Sequence, residues 1–172
     1  LSLVTHCEEL ASRFAVLDIP RAAGTVQEIL KHRHILDTTY AAFYHPWLRA
    51  FDFLDKQNSS IPPSGSIAGI YARTDNTRGV HKAPANGVVR SCVGLEVQFN
   101  TGDQDLLNPE GVNLIRAIVG RGIRVWGART ASSDGRWKYI NIRRLFIFIE
   151  ESIKANTNWV VFEPNDEMMW GR

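Results

Sequence analysis

The chain is poor in the residues that carry most recognisable chemistry. It has two cysteines, Cys7 and Cys92, and no Cys-x-x-Cys pair, so neither a disulfide framework nor a thiolate metal site is written into it. Two reduced packing cysteines are the expectation. No apolar run approaches the length of a membrane span. The first residues, Leu1 to Glu9, lack the basic start, long apolar middle and small-residue cleavage site of a signal peptide. Formal net charge is only +2, too little to point to nucleic acid or another polyanion. The phosphate-binding words are missing as well. Gly65-Ser-Ile-Ala-Gly69 and Gly120-Arg-Gly122 have neither the Gly-Lys-Ser/Thr ending of a P-loop nor the spacing of a dinucleotide fold. Close packing of helix and turn is the expected use of these glycines. No G-x-S-x-G elbow is present. His32 and His34 are two apart, which separates them on a helix, and His6, His45 and His81 have no cysteine or carboxylate neighbours at ligand spacing. No catalytic, cofactor or metal residue is therefore expected. Asp18, at a strand end, is the best of the weak catalytic candidates; a turn or capping role is commoner for such a residue.

What is present reads as an α/β domain. The 172 residues are 44% hydrophobic and 22% charged, enough for one ordinary core. Arg13 to Asp18 is a compact apolar run ended by Ile19-Pro20, a strand near 13–18. Thr25-Val-Gln-Glu28 matches a capping box and opens a helix near 25–34, with Val26, Ile29 and Leu30 as its stripe. Thr38 to Tyr44 reads as a second strand near 39–44. Arg49 to Ser60 is mixed and polar, a strand fragment and a loop. Ser64 is a candidate N-cap for a helix near 64–74. Thr74 to Asn108 is irregular, which inside a compact domain points to a functional or partner-facing stretch. It holds one alternating run, Val93 to Phe99, and a helical turn at Asp103 to Leu107.

Three patterns then follow in order. Ile123 to Arg129 is β-rich with glycine at each end, giving a strand near 123–129. Ile142, Leu145, Phe146, Ile149 and Ile153 lie at helical spacing on one face of a helix near 141–154. Trp159 to Phe162 is continuously apolar, as a strand buried on both faces would be, giving a strand near 158–163. Strand, helix, strand predicts a crossover with parallel neighbours, hence a central mixed, partly parallel sheet flanked by helices. The expected core is Phe14, Val16, Leu17, Ile67, Val125, Leu145, Phe146, Ile149, Val160 and Phe162. The arginines crowd this part: Arg116, Arg121, Arg124, Arg129, Arg136, Arg143 and Arg144. Arg143 and Arg144 near the helix start and Glu150 and Glu151 near its end oppose the helix dipole, at about 0.3–1 kcal/mol per exposed charge. Such charges are expected to meet opposite charges on another segment or another subunit. Arg143, Arg144, Glu150, Glu151, Arg121 and Arg124 are thus the candidates for subunit contact.

The words Tyr40-Ala-Ala-Phe-Tyr-His-Pro-Trp47, Ile61-Pro-Pro-Ser-Gly65, Tyr71-Ala-Arg-Thr-Asp75, Lys82-Ala-Pro-Ala-Asn86, Gly120 to Thr130, Arg143-Arg-Leu145 and Phe162-Glu-Pro-Asn165 occur together and in order. In this the chain resembles the core of contractile tail sheath proteins of phages and phage-tail-like injection systems. Cys7-Glu8 with Arg13 to Asp18 looks like the family's first core strand. His81 departs from the tryptophan of many relatives, and Ala117-Ile-Val119 from an aromatic-proline lead. The resemblance implies a structural subunit without cofactor or catalysis. Its partners would be copies of itself, an inner tube protein, and baseplate and terminal cap proteins, with no direct nucleic-acid contact and no membrane insertion. It would be assembled in the bacterial cytoplasm into a phage tail or phage-tail-like particle. It also implies one core domain over 1–172, a piece of a longer subunit whose outer domain and terminal arms lie elsewhere. A baseplate or adaptor protein built on the same core, and more remotely an α/β hydrolase using Asp18, are the alternatives.

Overall fold

The computed structural model describes residues 2–90 and 92–171. Helix α1 (Ser2–Leu10) leads into β1 (Ala15–Asp18), α2 (Val26–Arg33) and β2 (Ala41–His45). A hairpin follows, β3 (Leu48–Asp52) and β4 (Gln57–Ile61), then α3 (Ser64–Arg78). After a two-residue strand β5 (Gly94–Leu95) come α4 (Thr101–Leu107), β6 (Val112–Ile118) and β7 (Gly122–Val125). The long helix α5 (Ile140–Asn156), a 3-10 helix (Asn158–Phe162) and α6 (Glu167–Trp170) complete the order. The main sheet runs β1-β2-β6-β7, parallel from β1 to β6 and antiparallel from β6 to β7; β4-β3-β5 form a small antiparallel sheet beside it. The mixed, partly parallel sheet with helices is as expected.

Local chemistry accounts for most boundaries. The capping box of α2 is formed: the Glu28 amide donates to Thr25 Oγ1 (3.3 Å) and the Thr25 amide to Glu28 Oε2 (3.0 Å). Asn100 and Asp103 do the same for α4. The cap of α3 is not Ser64, however. Pro63 holds the cap position, and the Ser64 amide donates to Asp18 Oδ1 at 2.8 Å, so a strand end caps the helix in space. A carboxylate there also meets the positive end of the helix dipole. The β6–β7 turn places Gly120 at φ 71° and Gly122 at φ 77°, left-handed positions that favour glycine. His45–Pro46 is a cis bond.

Five expectations are corrected. Trp159 to Phe162 is 3-10 helix rather than strand, with Val161 67% and Phe162 98% exposed. The crossover therefore does not close, and β7 takes its neighbour from the tight turn after β6 instead. Val93 to Phe99 pairs only over Gly94–Leu95. Arg49 to Ser60 is a full hairpin, because Leu48 is buried and every second residue of β3 faces inward. Cys7 and Glu8 lie on α1, whose Val4 and Cys7 are buried, not on a strand. The glycines of α3 are not packing glycines within the chain either: a Cβ at Gly65 or Gly69 would meet nothing within 4 Å.

Two cores lie on opposite faces of the sheet. One joins Val4, Cys7, Ile19, Ile29, Phe43, Leu107, Val112 and Leu114; the other joins Tyr44, Leu48, Ile67, Ile70, Tyr71, Ile115, Val125 and Ile140. Of the expected core, Ile67 and Val125 are fully buried, and Phe14, Val16 and Leu17 pack at the margins.

One polar side chain ties the sheet together. Asn113 on β6 is fully buried. Its Nδ2 donates to the carbonyls of Phe43 (3.0 Å) and Arg129 (2.8 Å), and its Oδ1 accepts from the Arg129 amide (2.7 Å). Asn113→Ala removes the partner of three backbone groups, one buried and two partly buried, each worth about 1 kcal/mol or more. Chemical denaturation is expected to show a loss of at least about 3 kcal/mol for this variant.

His45, at the end of β2, is 1% exposed, and neither ring nitrogen makes a hydrogen bond of ordinary geometry. Burial, above all, lowers its pKa to about 4 from the ordinary 6.5. The unfolded chain then takes up a proton before the folded one does. Stability is expected to fall as pH drops through 6.5 towards 4, by about 3 kcal/mol in all. Melting curves across that range check this, and His45→Leu is expected to flatten the fall.

Candidate assembly surface

Helix α5 offers two stripes at the same spacing. Ile140, Arg143, Arg144 and Ile147 recur at i, i+3, i+4 and i+7, and so do Ile142, Leu145, Phe146 and Ile149. Hydrophobicity alone favours the second stripe for the core. The structure buries the first.

The reason lies in what receives the two arginines. The Arg143 guanidinium stands 3.6 Å from the Trp137 ring centroid and 4.6 Å from that of Tyr40, and the residue is 7% exposed. Arg144 forms a two-pronged ion pair with Asp75 of α3 (3.0 and 2.5 Å) and lies 4.6 Å from the Tyr71 ring centroid. Tyr71 in turn shares a 2.8 Å hydrogen bond with the buried Tyr44. Burial holds both phenols above the usual tyrosine range. Asp75 sits near the C-terminal, negative end of α3, where a lone carboxylate is unfavourable; Arg144 offsets it. Asn141 adds a third pin, donating to the His81 carbonyl at 3.0 Å. After the fully buried Ile140, cation–π contact and a bidentate ion pair thus take the place of further apolar burial in the first two turns of α5.

The displaced apolar stripe faces outward. Phe146 is 44%, Ile149 42% and Ile153 58% exposed, with Phe148 at 57% beside them. Leu145 is half-buried, and Phe146 keeps an edge contact with Trp137 at 5.1 Å. Placing Phe146 and Ile149 in the core is therefore corrected. Val160 is partly buried and Phe162 bare. A helical face this apolar and this exposed is a candidate contact surface.

Each candidate charge has a clear place. Arg143 and Arg144 are engaged inside the chain. Arg124 donates to the carbonyls of Arg121 (2.9 Å) and Asn86 (2.7 Å), tying the β6–β7 hairpin to the preceding loop. Arg121 is exposed on the hairpin tip beside Val119, itself 99% exposed. Glu150 is exposed, and Glu151 faces Lys154 at 3.9 Å. The burial of Arg143 and Arg144 is what sequence reasoning missed. The available signal was the aromatic company of Tyr40, Tyr71 and Trp137.

No catalytic grouping forms around Asp18. Its carboxylate caps α3; burial raises its pKa, and the Ser64 hydrogen bonds oppose that rise. His34 pairs with Glu110 (3.2 Å), and His6 faces Arg13 (2.5 Å). Among the described residues no cluster of three or more His, Cys, Asp or Glu side chains could hold a metal, and no helix is long and apolar enough to cross a membrane.

Because the Arg144–Asp75 pair is mostly shielded, with side chains 17% and 23% exposed, removing one partner strands the other charge. Arg144→Met is expected to cost about 2 kcal/mol or more, and Arg144→Met with Asp75→Leu less than the sum of the single changes. A double-mutant cycle read by denaturation checks this.

Residues 2–131 match the family model described as phage tail sheath protein central domain. The chain is 29% identical over 136 residues to the tail sheath protein of Vibrio phage KVP40, a match covering 77% of this chain and 20% of that protein. Its fold superposes with a TM-score of 0.83, at 34% identity, on a chain of the anti-feeding prophage baseplate, covering 99% of this chain and 44% of that one. A sheath chain of the extracellular contractile injection system PVC, in its contracted state, gives the same score at 37% identity, with 92% of this chain and 44% of that chain covered. The sequence thus spans a fifth of the phage relative and under half of the injection-system subunits. With three quarters of its length inside the family's central domain, the chain belongs to the phage tail sheath protein family.

Proposed function

We propose that this chain is the core of a structural subunit that polymerises as a helical sheath around an inner tube and shortens to drive that tube through a target envelope. The observation that carries this is the outward apolar stripe of α5, on a domain whose relatives are sheath proteins. A helix held by three polar pins at one end, with its apolar face bare, is built to be covered by another chain. The subunit works by rearranging contacts, so it is not an enzyme. Asp18, the one catalytic candidate, is occupied as a helix cap, which agrees with that reading. In the longer subunit, an outer domain and terminal arms would accompany this core. Its partners are copies of itself, the tube protein, and baseplate and terminal cap proteins, in a phage tail or phage-tail-like particle assembled in the bacterial cytoplasm. Glu150, Glu151 and Arg121 are the solvent-facing charges available for subunit contact. Arg143 and Arg144 would serve assembly by holding α5 in place.

Electron microscopy of the full-length protein, expressed alone and with its neighbouring tail genes, tests this. Striated sleeves of regular pitch are expected. Ile149→Ser with Ile153→Ser is expected to leave the melting temperature nearly unchanged, because both side chains are exposed, and to abolish sleeves. Soluble monomers of the unaltered protein under both conditions would overturn the sheath reading in favour of an adaptor.

A further inference from the structure

Helix α5 carries unanswered charge of opposite sign at its two ends. At its start, Tyr139 is the N-cap residue, 39% exposed, and two cations gather on its ring. Arg129 Cζ lies 5.0 Å and Lys138 Nζ 5.3 Å from the ring centroid. Among the described residues, neither cation has a carboxylate within ion-pair distance. The acids nearby are committed elsewhere. Asp134 holds Arg136 (2.8 Å), Glu110 holds His34 (3.2 Å), and Asp37 accepts from the amide and hydroxyl of Ser133. Asp37 and Glu110 line a cleft of about 460 Å³ to which Arg33, Arg129 and Lys138 also contribute. At the other end of α5, Glu150 is exposed and, among the described residues, has no cationic partner within ion-pair distance, while Glu151 has the distant Lys154.

The two ends cannot meet within one chain. Eleven residues of straight helix separate Tyr139 from Glu150, roughly 16 Å at 1.5 Å per residue. Two cations side by side repel, and the ring face relieves that only in part. A pair of carboxylates from outside would relieve it fully. This same chain presents two carboxylates on successive residues of a helix: Glu150 borders the exposed stripe of Phe146, Ile149 and Ile153, and Glu151 lies one step round the helix, at a groove it lines with Arg144 and Phe148.

We propose that Glu150 and Glu151 at the acidic end of α5 in one copy dock against the Arg129–Tyr139–Lys138 cluster at the start of α5 in the next copy. The two patches differ, so the contact is head to tail and repeats without closing on itself, which generates a helical array. The apolar stripe between the charged ends is covered along the way. This rests on the polymerising-subunit reading and adds which residues of one copy meet which of the next.

Two charge reversals in the full-length protein test it, Glu150→Lys and Lys138→Glu. Each variant alone places like charges at every contact and is expected to raise the critical concentration for sleeve formation about tenfold or more. An equimolar mixture of the two is expected to polymerise as the unaltered protein does. In the mixture, each reversed residue meets its opposite on the neighbouring copy. A contact within one chain could not be repaired by mixing. If Lys138→Glu lowers the melting temperature, Arg129→Glu takes its place in the mixture. The contact is overturned if either variant alone forms sleeves at the unaltered concentration, or if the mixture does no better than its components. Failure of the unaltered protein to form sleeves would overturn the sheath reading itself.

Discussion

The fold depends on a buried amide. Two strands meet a stretch of irregular chain at Asn113, and without it the backbone of 126–131 would lie against β2 and β6 with polar groups unpaired. Asn113 supplies two donors and one acceptor where Phe43 and Arg129 need them. Around that clamp, the Trp126 amide reaches the Leu114 carbonyl (2.7 Å) and the Ala131 amide the Ala41 carbonyl (2.7 Å). The chain therefore passes beside the sheet without being a regular strand. That path delivers Trp137 and Tyr139 to the start of α5, so the placement of the helix follows from the clamp. A buried polar group of this kind is tolerated because it is satisfied, and it specifies one register where an apolar residue would allow several.

From that placement follows the inversion of α5. Trp137 and Tyr40 form a platform for Arg143, while Asp75 and Tyr71 receive Arg144. A guanidinium is weakly hydrated and flat, so stacking on an aromatic face desolvates it at small cost. The arginines can thus occupy positions that leucine or isoleucine would hold in most domains. The apolar stripe is left outside, and its exposure is the consequence of an interior already filled.

This explains what was legible in the residues and what was not. The capping box at Thr25 and Glu28 depends only on neighbours in sequence, and it formed as read. The strands ending at Asp18 and at His45 also appeared, since both are apolar runs closed by proline. The family words from Tyr40 to Asn165 pointed to the sheath family, which the match over residues 2–131 shows. The orientation of α5 was not legible, because two stripes share one period and choosing between them required knowing that Trp137, Tyr40 and Tyr71 converge. The apolar run at Trp159 to Phe162 was misread for a related reason. Periodicity reports that a segment is apolar and leaves open whether its cover lies in the same chain. The cap of α3 by Asp18 joins residues 46 apart, a distance that no local pattern spans.

The charges near α5 divide along the same line. Those with partners inside the chain, Arg143, Arg144 and Arg124, fix the helix and the β6–β7 hairpin to the body. Those with no ion-pair partner among the described residues and at most a half-exposed ring beside them, Arg129, Lys138 and Glu150, lie at the two ends of a helix whose middle is apolar and bare. A domain that had to remain a monomer would gain from the opposite arrangement, with apolar residues on the inner stripe and arginines in water. Here the interior bears the cost of housing cations so that hydrophobic area and separated charge are both left on the surface. Apolar area supplies attraction without direction, and the charges supply register. An assembly that must hold many copies in one repeating geometry needs both on the same face.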